Sequence, residues 1–249
     1  MRYVASSRAG LAEKHKKSEA ESMLLEYGNS RTNRPDALRI LQDCEGRRVS
    51  LRDNSAMSRA RGVILVGSKG RGSNMSALIA ASQDERIPVE FVGVIGSKSG
   101  APALARAREA GRMTFVIEPG PDYASRLLAE LATLRPDWIC LAGYTLFLPT
   151  EVVAAYRNRV LNIHPSLLPR HGGVGMYGMR VHEAVLESGE AESGCTVHRV
   201  TEVYDEGEIV LQKRCPVLPG DTPEILAARV LALEHEAYPE ALAWVIRNG

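Results

Sequence analysis

Val63-Ile64-Leu65-Val66-Gly67-Ser68-Lys69-Gly70-Arg71-Gly72-Ser73-Asn74 is the stretch on which the fold turns. Val63 to Val66 is a continuous apolar run of strand length, the pattern of a strand buried on both faces. The glycines break it, and Ser73 to Ala81 then reads as a helix. Downstream the same unit recurs. Phe91 to Ile95 is a strand, followed by a helix over Ala101 to Ala110 that Gly111 closes. Thr114 to Ile117, a helix over Tyr123 to Leu134, and Trp138 to Leu141 repeat it. A fifth strand, Arg159 to Ile163, runs into His164-Pro165, where proline ends regular pairing. A helix over Met179 to Ser188, strands over Cys195 to Arg199 and Glu208 to Pro216, and a long helix over Pro223 to Ile246 follow. Strands alternating with helices predict an α/β class: a Rossmann-like, mostly parallel sheet with helices on both faces.

Upstream of this stretch the pattern fails. Residues 1–60 are polar and basic, with Glu13-Lys14-His15-Lys16-Lys17 and Arg47-Arg48 and little apolar periodicity. Two short helical pieces, 11–27 and 35–44, are interrupted by turn-rich segments. Two readings stand: a flexible or peripheral extension without chemistry, or an arm that touches RNA or a partner. Met57 is an alternative start, because the regular pattern begins just after it. The expected division is an extension over 1–60 and a catalytic domain over 61–249.

At 249 residues and 45% hydrophobic content, one main domain with a buried core is expected. A net charge of +1 supplies no global field toward nucleic acid or an anionic membrane, so a small-molecule partner is favoured. Cys44, Cys140, Cys195 and Cys215 are scattered, without metal-site spacing, and read as reduced thiols of a cytoplasmic protein. No metal and no membrane span are expected, and the assembly is expected to be a monomer or homodimer.

Two segments carry chemistry. In Asn162-Ile163-His164-Pro165-Ser166-Leu167-Leu168-Pro169, a buried strand opens into a proline-bounded loop, and ligands of parallel sheets gather at such strand ends. Residues two apart in a strand point the same way, so Asn162 and His164 aim at one place while Ile163 packs inward. An Asn amide stabilises a developing oxyanion and His moves protons near neutral pH. A capping Asn beside a structural His fits the same residues. The Gly67 to Asn74 turn, ahead of a helix, favours an anion such as phosphate, although it is neither a Walker loop nor a dinucleotide fingerprint.

Asn162 to Pro169 resembles the catalytic signature of the folate-dependent formyltransferases. The likeness covers Gly62 to the C-terminus and continues in Gly194-Cys195-Thr196-Val197-His198, Asp205 to Gln212, Pro219-Gly220-Asp221-Thr222, Arg229-Val230 and Glu234-His235. The resemblance implies the formyltransferase fold, 10-formyltetrahydrofolate as formyl donor, no metal, and the amine of glycinamide ribonucleotide as acceptor in purine synthesis. It implies that Asn162 binds the formyl oxygen, that His164 transfers protons and that Asp205 orients and charges His164. A carboxylate beside His favours the imidazolium, so a raised His164 pKa is expected. Read alone, Tyr204-Asp205-Glu206-Gly207 is equally a turn. The resemblance further implies that Gly72, Ser73 and Asn74 hold the substrate phosphate, with an extra residue near Lys69 and Gly70, and that Glu234 contacts the ribose.

For the folate, the resemblance points to Tyr144, Thr145, Leu146, Phe147 and Leu148, with Val153 and Val160 behind them and Asn162 at the reacting end. Some relatives carry Arg where Leu146 stands, which removes a charged folate contact here. Arg170 to Gly178 is a longer glycine-rich loop, read as a mobile lid with His171 a minor participant. The competing readings are a formyltetrahydrofolate hydrolase, a formyltransferase for another amine such as an amino-sugar nucleotide or methionyl-tRNA, and an inactive phosphate- or folate-binding module. Residues 1–60 lack the strand–helix alternation of the regulatory domain that precedes the hydrolases. The methionyl-tRNA enzymes carry a further C-terminal domain for which this sequence shows no counterpart.

Overall fold

In β1 (Ala60–Val66) Val63, Ile64, Leu65 and Val66 are fully buried and alternate between two cores. Ile64 and Val66 face one, Val63 and Leu65 the other. The computed structural model describes residues 59–249, so the expected extension and its two helical pieces lie outside the described residues. After β1 come α1 (Ser73–Gln83), β2 (Val89–Gly96), α2 (Pro102–Glu109), β3 (Thr114–Val116), α3 (Tyr123–Leu134), β4 (Trp138–Ala142), α4 (Thr150–Ala155), β5 (Val160–His164), α5 (Met179–Glu187), β6 (Glu192–Arg199), β7 (Ile209–Pro216) and α6 (Pro223–Asn248). They form one seven-stranded sheet in the order β3-β2-β1-β4-β5-β6-β7. β1 to β5 are parallel, and β6 and β7 add antiparallel pairs.

α1, α2, α5 and α6 contribute to the core that holds Ile64 and Val66, and α3 and α4 to the core that holds Val63 and Leu65. Helices therefore cover both faces, as expected. The order in which strands are added reverses between β1 and β4, and such a switch point opens a crevice beyond their carboxyl ends. Gly67 lies at its rim, where a Cβ would overlap the Gly143 carbonyl.

Several elements differ from the sequence expectation, and β1 and β2 begin three and two residues earlier than their apolar runs. α4 is six residues long, and its apolar content, Val152 and Val153, is too short to show a helical period. β6 begins at Glu192, three residues earlier than read, because its first part includes Gly194. That glycine is required: a Cβ there would overlap the Lys213 carbonyl of β7. The Pro219 to Thr222 segment starts α6. Thr222 caps Ile225 N–H, and Asp221 accepts from Leu218 N–H and from both Arg229 guanidinium nitrogens, which hold its carboxyl at about 2. None of the described helices is long and apolar enough to cross a membrane.

Candidate active site

β5 directs Leu161 and Ile163 into one core and turns Asn162 and His164 to the other face. Beyond His164, the turn through Ser166 and Leu168 is pinned from β6 and β7. Thr196 Oγ1 donates to the Ser166 carbonyl at 2.7 Å and accepts from Leu168 N–H at 3.1 Å, and Gln212 Nε2 donates to the Leu168 carbonyl at 2.9 Å. The Leu168–Pro169 peptide is cis.

Asp205 enters from the connection between β6 and β7, with a φ of 56°. Its Oδ2 lies 3.5 Å from His164 Nδ1 and accepts from Gly173 N–H at 2.9 Å, and its Oδ1 lies 3.5 Å from His198 Nε2. His198 stands opposite Asn162 in the antiparallel β5–β6 pair, and 3.1 Å separates its Nε2 from Asn162 Nδ2. The site thus brings Asn162, His164 and Asp205 into one cluster, joined by a histidine to which the sequence reading gave no role. Its place follows from register, which one strand read by itself does not disclose.

Partners assign the ring protons. A carbonyl only accepts, so His198 Nδ1, 2.9 Å from the Arg199 carbonyl, carries a proton. A neutral His198 then accepts the Asn162 N–H at Nε2, whereas a charged one would donate to Asp205. Of the two Nε2 contacts the one to Asn162 Nδ2 is the shorter, 3.1 against 3.5 Å to Asp205. This fixes the Asn162 amide and leaves its second N–H for a ligand. His164 Nε2, 2.7 Å from the His171 carbonyl, likewise carries a proton, so Nδ1, facing Asp205, is the basic atom.

The expected rise in the His164 pKa is corrected by the structure. Burial pushes it below the ordinary value, outweighing Asp205 and the His171 carbonyl, which act the other way. His164 is only 4% exposed, so desolvation of the cation dominates. Burial also pushes the Asp205 carboxyl up, but His198, His164 and the Gly173 N–H together hold it below the ordinary range. The resting pair is a neutral imidazole beside a carboxylate. His182, buried on α5, is pushed down to about 4 by burial and by His164.

Of the other sequence-predicted residues, Gly72, Ser73 and Asn74 lie at the start of α1, after β1, and Glu234 lies on α6. Gly72, with φ 77°, is the N-cap of α1, and no side chain caps the helix, so its first amides are open to an anion. Lys69 and Arg71 are exposed beside it. Asn74 Nδ2 donates to Glu234 Oε2 at 2.5 Å, while Asn74 Oδ1 is buried without a partner. Glu234, on α6, is only 7% exposed. Burial pushes its carboxyl up to about 7 against the Asn74 bond.

After β4, Thr145 and Phe147 are exposed and Leu146 is half-buried, whereas Tyr144, Leu148, Val153 and Val160 are buried behind them. Phe147 meets Tyr204 edge-to-face, with centroids 5.2 Å apart. This apolar ledge with open aromatic faces suits a flat heterocycle. The Arg170 to Gly178 loop is not uniformly free. The backbone of residues 170–173 is bonded to His164, Ser166 and Asp205, whereas Val174 and Tyr177 are exposed. A separate concavity of about 480 Å³, lined by Lys213, Pro239 and Trp244 among others, shares no residue with this cluster. Among the described residues no group of His, Cys, Asp and Glu has a metal-holding arrangement.

A doubly wound sheet carrying an Asn–His–carboxylate cluster at a strand end has the construction of an acyl-group-transfer enzyme. The formyl transferase family matches residues 61–242, and the chain belongs to that family. Phosphoribosylglycinamide formyltransferase of Escherichia coli (strain K12) is 37% identical over 186 residues, 73% of this chain and 85% of that protein. The trifunctional purine biosynthetic protein adenosine-3 of Drosophila pseudoobscura pseudoobscura is 42% identical over 200 residues, 77% of this chain; the chain spans only 14% of that relative's length. The crystal structure of phosphoribosylglycinamide formyltransferase from Brucella melitensis matches with a TM-score of 0.69 at 46% identity, covering 75% of this chain and 95% of that one.

Proposed function

We propose that the chain transfers the formyl group of 10-formyltetrahydrofolate to the amine of glycinamide ribonucleotide, a step of purine biosynthesis. The observation that carries the reading is the cluster of Asn162, His164, His198 and Asp205 at the end of β5. Attack of an amine on a formyl carbon places negative charge on the formyl oxygen, and the free N–H of Asn162 is the donor for it. His164, neutral at rest, takes up a proton at Nδ1, where Asp205 stabilises the resulting cation.

The uncapped start of α1, at Gly72, Ser73 and Asn74, receives the phosphate, and the unpartnered Asn74 Oδ1 with Glu234 receives the ribose hydroxyls. The folate lies on Thr145, Leu146 and Phe147, over Tyr144, Leu148, Val153 and Val160. The buried free thiols Cys140, Cys195 and Cys215 suit a reducing cytoplasm.

The test supplies 10-formyltetrahydrofolate with and without glycinamide ribonucleotide and follows deformylated folate and formylated amine together. One-for-one appearance, dependent on the amine, is expected. Donor loss without the amine would make the chain a hydrolase and overturn the reading.

A further inference from the structure

We infer that Glu190 is a positioning residue for the reaction: it clamps a short strap, residues 170–173, whose backbone sets both His164 and Asp205. The inference deepens the proposed transfer and rests on it for its kinetic part. Glu190 lies between α5 and β6, and its two oxygens are divided. Oε1 accepts from His171 Nε2 and Oε2 forms an ion pair with Arg170 Nη1, each at 3.0 Å. The strap turns its backbone to the cluster. The His171 carbonyl accepts His164 Nε2–H at 2.7 Å, and Gly173 N–H donates to Asp205 Oδ2 at 2.9 Å.

Between them Gly172 leaves no freedom, since a Cβ would meet Leu168 Cδ2 at 2.5 Å and Asp205 Cβ at 3.2 Å. His171 itself has φ 55°, a left-handed conformation that a non-glycine residue keeps only when something holds it. The Glu190 carboxylate does this: the His171 side chain is 14% exposed and that of Glu190 18%, so the contact is largely shielded from water. The bond to the His171 carbonyl also decides which His164 nitrogen is free. Loss of the clamp releases the Nε2 proton and the Asp205 oxygen together.

Glu190→Ala, Glu190→Gln and His171→Leu test this. Losing the shielded His171–Glu190 contact, which both variants do, is expected to lower kcat about tenfold in Glu190→Ala and His171→Leu, while the KM of the folate donor stays within about twofold. Glu190→Gln keeps an oxygen acceptor for His171 and is expected to recover kcat to within about threefold of the parent. The downfield Nε2–H proton resonance of His164, assigned by its loss in His164→Asn, is expected to persist in the parent and Glu190→Gln and to exchange away in the other two. An active parent whose kcat is unchanged by Glu190→Ala overturns the inference, as does a resonance that persists in both Glu190→Ala and His171→Leu. A parent that transfers no formyl group but loses the resonance in these variants keeps the clamp and removes the transfer reading. Should Glu190→Ala not fold, His171→Leu decides the outcome.

Discussion

At the scale of single residues, the site is governed by competition between desolvation and charge. His164 is buried deeply enough that the adjacent Asp205 does not make it a resting cation. Asn162 acquires its orientation from His198, which accepts one of its two amide protons. Asn162→Ala is therefore expected to lower kcat about 10²- to 10³-fold, the cost of one oxyanion donor, with the folded state retained. Steady-state rates beside a circular-dichroism melt check this, and a loss in stability that matches the loss in rate would contradict it.

Glu234 gives a second residue-level test. Its carboxyl moves from 4.5 to about 7 through burial, so between those values the folded chain binds more protons than the unfolded one and stability falls as pH rises. Glu234→Gln is expected to be the more stable protein at pH 8 by about 3 kcal/mol, with the gap closing toward pH 5. Urea unfolding at both pH values measures it, and an equal gap at the two would count against a buried, titrating Glu234. Asn162 and His164 were legible in the sequence because one strand carries both at a spacing of two. His198 was not, because its proximity depends on the β5–β6 register, and the burial of Glu234 was not, because it depends on Asn74 of α1, far away in the chain.

At the scale of elements, the start of α1 and the body of α6 position the site. Gly72 needs its left-handed conformation, and a Cβ there would meet Ala103 Cβ at 2.8 Å. Gly72→Ala is expected to cost about 1–3 kcal/mol and to raise the KM of glycinamide ribonucleotide more than that of the folate donor. Equal changes in both KM values would separate this turn from phosphate binding. Tyr238 of α6 is fully buried and its hydroxyl lies 3.0 Å from the Leu141 carbonyl and 2.9 Å from that of Leu161, bridging β4 and β5 directly beneath the site. Tyr238→Phe is expected to destabilise the fold by about 1–3 kcal/mol, since it leaves buried carbonyls without that donor, and denaturant unfolding reads this. The strands were most legible where apolar runs were continuous, in β1 and β4. They were less so in β6, where Gly194 interrupts the run to admit the β7 backbone.

At the scale of the whole molecule, the two cores on either face of the sheet hold the carboxyl ends of β1, β4 and β5 at one rim. The anion-ready turn, the apolar ledge and the Asn–His–Asp cluster all lie there. His182 and Glu234 are expected to act on stability in opposite senses within one acid window, between about pH 4 and 7, and so to offset each other there. His182, held at about 4, binds fewer protons folded than unfolded, so its contribution is lost as pH falls from 6.5 toward 4; Glu234 acts in the opposite sense as pH rises toward 7. The central claim is that the cluster at the end of β5 performs the transfer. It is tested most directly by the turnover rate of His164→Asn with both substrates saturating, set beside its affinity for the folate donor. The account expects a fall of about 10²- to 10⁴-fold with donor affinity retained. A rate within about threefold of the parent would place the proton transfer elsewhere and contradict it.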